Sequence, residues 1–142
     1  MDKLADKLVL EIVTPERQVI KAFVNEVLLP ATGGYIGVLP GHTPLLTTLS
    51  AGEVVYKQKE QEFYLFLSGG FAEILPGKII VLAEVAEKPE EIDVQRAQES
   101  KERAQQLLRQ MDPKLDVDLT MASLKRALSR LHVASRVHTG HQ

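Results

Sequence analysis

The residues best equipped for chemistry are cations near the C-terminal end of the chain. After Asp118 there is no acid, only Lys125, Arg126, Arg130 and Arg136, together with His132, His138 and His141. Such a stretch is either a solvated basic face or a docking strip for an acidic protein surface or an anionic ligand. Charge alone leaves both readings open. No catalytic constellation stands out. His42 is the only histidine outside this region, and its Gly41-His42-Thr43-Pro44 setting suits a structural or interface role. Ser68-Gly69-Gly70 lacks the Gly-x-Ser-x-Gly pattern of a nucleophile elbow. Gly33-Gly34-Tyr35-Ile36-Gly37 lacks the Gly-Lys-Ser/Thr ending of a phosphate loop, and no long helix follows it. Absence of cysteine excludes disulfides, thiolate catalysis and cysteine–zinc sites. His138 and His141 stand in the C-terminal tail, where no metal site is expected. These residues point to a binding or regulatory module and away from an enzyme.

The elements that must position those cations change character near Pro89. Eight of the nine glycines precede it, and none follows until Gly140. Glycine supplies positive φ in tight turns and is costly inside helices, so the chain divides into a strand-rich module, residues 1–88, and a helical module, residues 89–142. Lys7 to Val13 alternates as a strand, with Leu8, Leu10 and Ile12 on one face. Val19 to Leu29 is extended and stopped by Pro30. Ala31 to Leu39 carries turn chemistry around Tyr35-Ile36 and Val38-Leu39. Glu53–Gln58 and Glu62–Leu67 flank the turn Lys59-Glu60-Gln61, and Phe71–Leu75 and Lys78–Glu84 flank Pro76-Gly77, two hairpin signals. Many short strands at even spacing predict an antiparallel sandwich or barrel.

In the second module Pro89-Glu90-Glu91 favours a helix start and Asp93 is suited to cap it. Val94, Ala97, Ala104, Leu107, Leu108 and Met111 recur at three- and four-residue spacing as one apolar stripe. Asp112-Pro113-Lys114 ends that helix, Asp116 or Asp118 can cap a second, and Leu124, Leu128 and Leu131 give the second its stripe. The fold class is therefore α+β, an antiparallel sandwich followed by an antiparallel two-helix hairpin. A hairpin with so narrow a seam is marginally stable alone and should depend on partners for its conformation. The formal charge of −2 gives no general argument for nucleic acid or a membrane surface. No apolar run approaches the roughly 20 residues of a membrane span. The N-terminus MDKLADKLVL lacks signal-peptide features, which makes the cytoplasm the expected compartment.

Four segments occur in an order that resembles the epsilon subunit of bacterial F-type ATP synthases. They are VLPGHTPLL (Val38 to Leu46), FLSGGFAEI (Phe66 to Ile74), IDVQRA (Ile92 to Ala97) and LKRALSRL (Leu124 to Leu131). The resemblance covers nearly the whole chain. It implies a noncatalytic rotor subunit, peripheral at the cytoplasmic face of the cell membrane, whose sandwich binds the gamma subunit and the c-ring. Tyr35, Gly41, His42 and Pro44 would belong to that interface, with the GHTPL turn and the neighbouring Gly33–Gly37 loop together at the end facing the ring. Many members carry Gly-Glu-x-Gly where this chain has Gly34-Tyr35-Ile36-Gly37. Tyr35 brings aromatic area and a hydroxyl to that position in place of the acid.

The resemblance further implies that the hairpin switches between a state folded against the sandwich and one extended along gamma. The extended state inhibits ATP hydrolysis by reaching the catalytic alpha and beta subunits. Lys125, Arg126, Arg130 and Arg136 would then dock on an acidic surface. Some members bind ATP in the folded hairpin through Ile/Leu-Asp-x-x-Arg-Ala, here Ile92, Asp93, Arg96 and Ala97, with Glu87, Arg103, Arg126 and Arg130 as partners. Ala97 leaves room for a purine, Asp93 can accept from its amine, and guanidiniums can clasp phosphates. No cofactor is required in this scheme, and ATP acts as a regulatory ligand. The competing reading is a free-standing ATP-sensing module without a motor, which co-purification with gamma would separate from the first.

Overall fold

The computed structural model describes residues 8–137. Ten strands come first: β1 (Leu8–Val13), β2 (Gln18–Val24), β3 (Glu26–Ala31), β4 (Gly34–Val38), β5 (Leu45–Leu49), β6 (Gly52–Gln58), β7 (Gln61–Leu67), β8 (Gly70–Leu75), β9 (Lys78–Ala83) and β10 (Ala86–Glu87). A 3-10 turn (Pro89–Glu91) leads to helices α1 (Val94–Gln110) and α2 (Val117–Ala134).

Alternation along each strand decides what is buried. Leu8, Leu10 and Ile12 of β1, Val54 and Tyr56 of β6, Ala72 and Ile74 of β8, and Ile79 and Val81 of β9 share one interior. The strands form a continuous path, β10-β7-β6-β3-β5-β8-β9-β1-β2, with β4 beside β3. β3 and β5 meet only at Ala31 and Leu49. The path folds there into two layers around the common core, the sandwich that the alternation predicts.

Asn25 secures the change of layer between β2 and β3. Its N–H bonds to the carbonyl of Lys57 at 2.8 Å, and its Oδ1 accepts from the Lys59 amide at 2.6 Å. The extended run is therefore broken at Asn25, whereas the sequence reading stopped it at Pro30. Pro30 lies inside β3 opposite Tyr35, and its carbonyl accepts from Ser50 N–H at 2.9 Å. The lost donor is tolerated because β6 pairs only with Glu26, Val27 and Leu28 of this strand. β5 was unanticipated, since of its residues only Leu49 is buried. The sandwich is antiparallel apart from one ladder: β1 runs parallel to β9 from Val9–Lys78 to Val13–Leu82.

Every residue of the main core lies between Leu8 and Ala86. A fragment of residues 1–88 is therefore expected to fold without the helices, showing strand-type circular dichroism and a cooperative thermal transition. A non-cooperative melt would mean that the hairpin supplies stability the sandwich lacks.

Asp93 caps α1 by accepting from the Arg96 amide at 3.1 Å, and Asp116 caps α2 by accepting from Leu119 at the same distance. The Pro89 turn precedes the helix as a separate element. Met111, at φ 55°, closes α1 in the left-handed region. The expected stripes are only partly buried. Ala97 and Ala104 are the buried positions of α1, while Val94 and Met111 are exposed. On α2 the buried positions are Thr120, Ala127, Ser129 and Val133, and the leucines expected to form its seam lie half-buried or, at Leu128, exposed. Small side chains let the two helices approach closely, which moves the leucines to the flanks.

Candidate functional site

Helix α2 rests on β6 and β7. Phe66 of β7, Ile92 and Val133 make a second hydrophobic cluster, separate from the sandwich core, with Tyr64, Val85 and Ala134 packed around it. Phe66 is fully buried, and the Arg130 guanidinium carbon lies 4.4 Å from its ring centroid. Arg130 Nε also donates to Glu87 Oε1 at 2.9 Å. On β6 the Glu53 carboxylate accepts from Ser129 Oγ at 2.6 Å and meets His132 Nδ1 at 2.9 Å. The His132 ring stands edge-on to Tyr64, and Arg136 lies over the other's ring at 4.8 Å. Arg17 reaches Glu91 at 2.9 Å, and this hydrogen bond holds the Glu91 carboxyl below its usual pKa. The hairpin in this structure is thus folded back and fastened by side chains of opposite charge.

Between the helices and β10 lies a cavity of about 300 Å³. Asp93, Arg96 and Ala97 enter it from α1, Arg126 and Arg130 from α2, and Glu87 from β10. These are six of the eight residues that the resemblance pointed to. The other two lie elsewhere. Ile92 is buried in the cluster under α2 and does not line the cavity. Arg103 is exposed on α1, its Nη2 3.5 Å from Ser100 Oγ, and is also absent from the lining. Ser100 and Ser123 complete the wall. They were not singled out in the sequence, although Ser100 is four positions after Arg96 and Ser123 three before Arg126, spacings that share a helix face. Among the described residues no ion pair joins Arg96 or Arg126 to an acid, and the lining carries three arginines against the carboxylates of Asp93 and Glu87.

The four basic residues expected to form one strip face different surroundings. Arg126 and Arg130 turn into the cavity, Arg136 lies on Tyr64, and Lys125 borders an apolar groove with Met121, Leu124, Leu128 and Tyr35. A continuous basic surface is not presented while the hairpin is folded back.

Tyr35 is also displaced from its expected company. Its Oη accepts from the Glu53 amide at 3.1 Å, and burial raises its phenol above the usual pKa. The turn before it, at Thr32, bonds to Thr48 near one end of β5. Gly41, at φ 87°, donates to the Pro76 carbonyl beyond the opposite end, where β5 pairs with β8 through Leu45 and Ile74. The Gly33–Gly34 turn and the Gly41 turn therefore lie toward opposite ends of β5, with β4 running from the first toward the second. The short pieces around the glycines form the β3–β4 hairpin, which carries Tyr35 toward α2. His42 stays within its own turn, Nδ1 2.6 Å from the Thr43 carbonyl, next to exposed Gly41 and Pro44. His138 and His141 lie outside the described residues.

No group of three or more metal-binding side chains occurs among the described residues, and no helix is long and apolar enough to cross a membrane. The arrangement can bind an anion between two helices, and it can hold or release those helices from a sheet. Sequence reasoning missed the fastening residues Glu53, Tyr64, Phe66, Ser129 and His132. Glu53 falls within an ordinary alternating strand, and nothing local announces a contact 76 residues away.

Comparison with known proteins matches both modules. Residues 7–89 match the family described as ATP synthase, Delta/Epsilon chain, beta-sandwich domain, and residues 90–135 its long alpha-helix domain. The chain is 51% identical over 110 residues to the ATP synthase epsilon chain of Koribacter versatilis, a span of 78% of each chain. It is 47% identical over 129 residues to that of Moorella thermoacetica, 90% of this chain and 96% of the relative. In fold it is similar to a chain in the cryo-EM structure of the Euglena gracilis mitochondrial ATP synthase OSCP/F1/c-ring assembly. The TM-score there is 0.76 at 20% identity, over 92% of this chain and 82% of that one.

Proposed function

The chain belongs to the ATP synthase delta/epsilon chain family, and from that membership we propose that it is a noncatalytic subunit of the rotor whose hairpin regulates ATP hydrolysis. In this reading the sandwich binds gamma and the c-ring, holding the protein peripherally at the cytoplasmic face of the cell membrane. The GHTPL turn, with Gly41, His42 and Pro44, is the ring contact, and Tyr35, set apart from it, belongs to gamma. The hairpin, when extended, presents Lys125, Arg126, Arg130 and Arg136 to an acidic surface of the alpha and beta subunits. When folded back, it binds ATP and withholds those cations.

The observation that carries this reading is the inter-helix cavity. Its walls come from α1, α2 and β10 together, so it is complete only while the hairpin is folded against the sandwich. A ligand bound there has differential affinity for the folded state and shifts the equilibrium toward it. Purine contact falls to Asp93 and Ala97, and phosphate contact to Arg96, Arg126 and Arg130.

Calorimetry on the isolated chain is expected to detect ATP, and Arg126→Ala to weaken it by removing a charge-assisted contact of about 1.5–3 kcal/mol. That is roughly ten- to a hundredfold in Kd. In the reconstituted complex Arg96→Ala, which removes a cavity arginine but leaves the four docking cations in place, should remain inhibited at ATP concentrations that relieve the native enzyme. No heat at millimolar ATP removes the nucleotide site. Clear binding with unaltered hydrolysis curves removes the regulatory role alone.

A further inference from the structure

The sheet face under α2 carries one bond that belongs to no ladder. β3 and β6 pair from Glu26–Lys57 to Leu28–Val55, and the same register continued would set Pro30 opposite Glu53. The Pro30 carbonyl is engaged elsewhere, taking the Ser50 amide at 2.9 Å and the Ser50 hydroxyl at 3.4 Å. The Glu53 amide donates instead to Tyr35 Oη of β4, at 3.1 Å. Gly52 makes room for that approach: a Cβ on it would lie 2.7 Å from Tyr35 Oη and 3.0 Å from Pro30 Cβ. The residue held in this way is also the one that grips the hairpin. One of its carboxylate oxygens accepts from Ser129 Oγ at 2.6 Å, and the other meets His132 Nδ1 at 2.9 Å.

We propose that Tyr35 is a positioning residue for Glu53, which makes the β3–β4 hairpin part of the fastening that keeps the helices folded back. Tyr35 acts through that glutamate: its hydroxyl fixes the amide, and the amide fixes where the carboxylate stands. The carboxylate has to meet two donors on α2 at once, so a small shift at the start of β6 breaks at least one of these contacts. Without the hydroxyl the amide turns to water, and the start of β6 is held by β7 alone. The Tyr35 ring is half exposed, so a partner can grasp it from outside. Drawing Oη away would loosen α2 without a contact to either helix. The device needs no ligand in the inter-helix cavity and does not rest on the nucleotide reading.

The test is a double-mutant cycle on the full chain, read by amide exchange in α2 with β1, β8 and β9 as the internal reference. Tyr35→Phe removes the hydroxyl and keeps the ring. It is expected to speed exchange in α2 about three- to tenfold, the net worth of one hydrogen bond, with the reference strands unchanged. Glu53→Ala removes the grip but leaves the amide able to bond Tyr35, and Phe66, Ile92 and Val133 still seat the helix. In that background Tyr35→Phe is expected to add nothing. The His132 ring resonances give a second measure, and in Tyr35→Phe they should move from their native positions toward those of Glu53→Ala. Native exchange in Tyr35→Phe overturns the proposal. An equal effect in both backgrounds also overturns it, because the Tyr35 ring would then act through the groove it shares with Leu128. Faster exchange in the reference strands makes Tyr35 a stabiliser of the sandwich only. If Glu53→Ala frees α2 outright, unmoved His132 resonances in Tyr35→Phe overturn the proposal and shifted ones uphold it.

Discussion

Replacing Phe66 with alanine is expected to release α2 from the sheet while leaving the sandwich folded. Phe66 is fully buried yet belongs to the small cluster with Ile92 and Val133, not to the sandwich core. Deleting a buried phenyl group costs about 3–5 kcal/mol. Arg130 would lose its aromatic platform as well, with its hold on Glu87 weakened. The remaining fastenings, Glu53 to Ser129 and His132, are partly exposed polar contacts and cannot supply that amount. Amide exchange in α2 should therefore approach that of an undocked helix, while protection in β1, β8 and β9 stays native. If the hairpin regulates as proposed, the variant within the complex should show stronger inhibition of hydrolysis and little response to ATP. Retention of native protection in α2 would show that polar contacts, not this cluster, hold the hairpin.

Gly70→Ala is expected to destabilise the sandwich itself. Gly70 opens β8 at φ 146°, and a Cβ there would come 2.0 Å from the Leu82 carbonyl oxygen and 3.0 Å from the Ala83 Cα. Both are backbone atoms of β9, so no side chain can swing aside. Relief requires separating β8 from β9, whose pairing runs from Gly70–Ala83 to Leu75–Lys78. The backbone strain and the displaced ladder together should cost at least about 3 kcal/mol. For a domain of this size that lowers the melting temperature by more than roughly 10 °C. Gly77→Ala is the control, because its Cβ would meet nothing within 4 Å and its backbone requires no positive φ. Equal melting of the two variants would contradict the close approach of β9 to Gly70.

The first module was legible because alternation and turn chemistry are local. Leu8, Leu10 and Ile12, the Lys59 turn and the Pro76-Gly77 turn stand where period and punctuation put them. Pairing between distant segments is not written in that way. Nothing in LVLEIV distinguishes a parallel neighbour from an antiparallel one, and β5 was missed because most of its side chains face outward. Helix caps at Asp93 and Asp116 were legible, since capping is a matter of a few residues. The burial of α2 was not: its inner face is set by a close partner helix, which selects Ala127 and Thr120 over the leucines. At the cavity the motif residues supplied the wall, but the aromatic platform and Glu53 come from a sheet that only the fold brings near.

The parallel ladder has a consequence for synthesis. Val9 is matched with Lys78, about 70 residues later, a long-range pairing of the kind that slows folding. At a ribosomal rate of 5–20 residues per second, β1 waits roughly 3–14 s for that neighbour to be made. Until then one edge of β1 is open, and β2 is its sole companion. The strands that receive α2 precede it in the chain, so by the time the arginine-rich helix has been translated its seat already exists. A nascent chain can thus be born with its C-terminal hairpin already stowed against the sandwich.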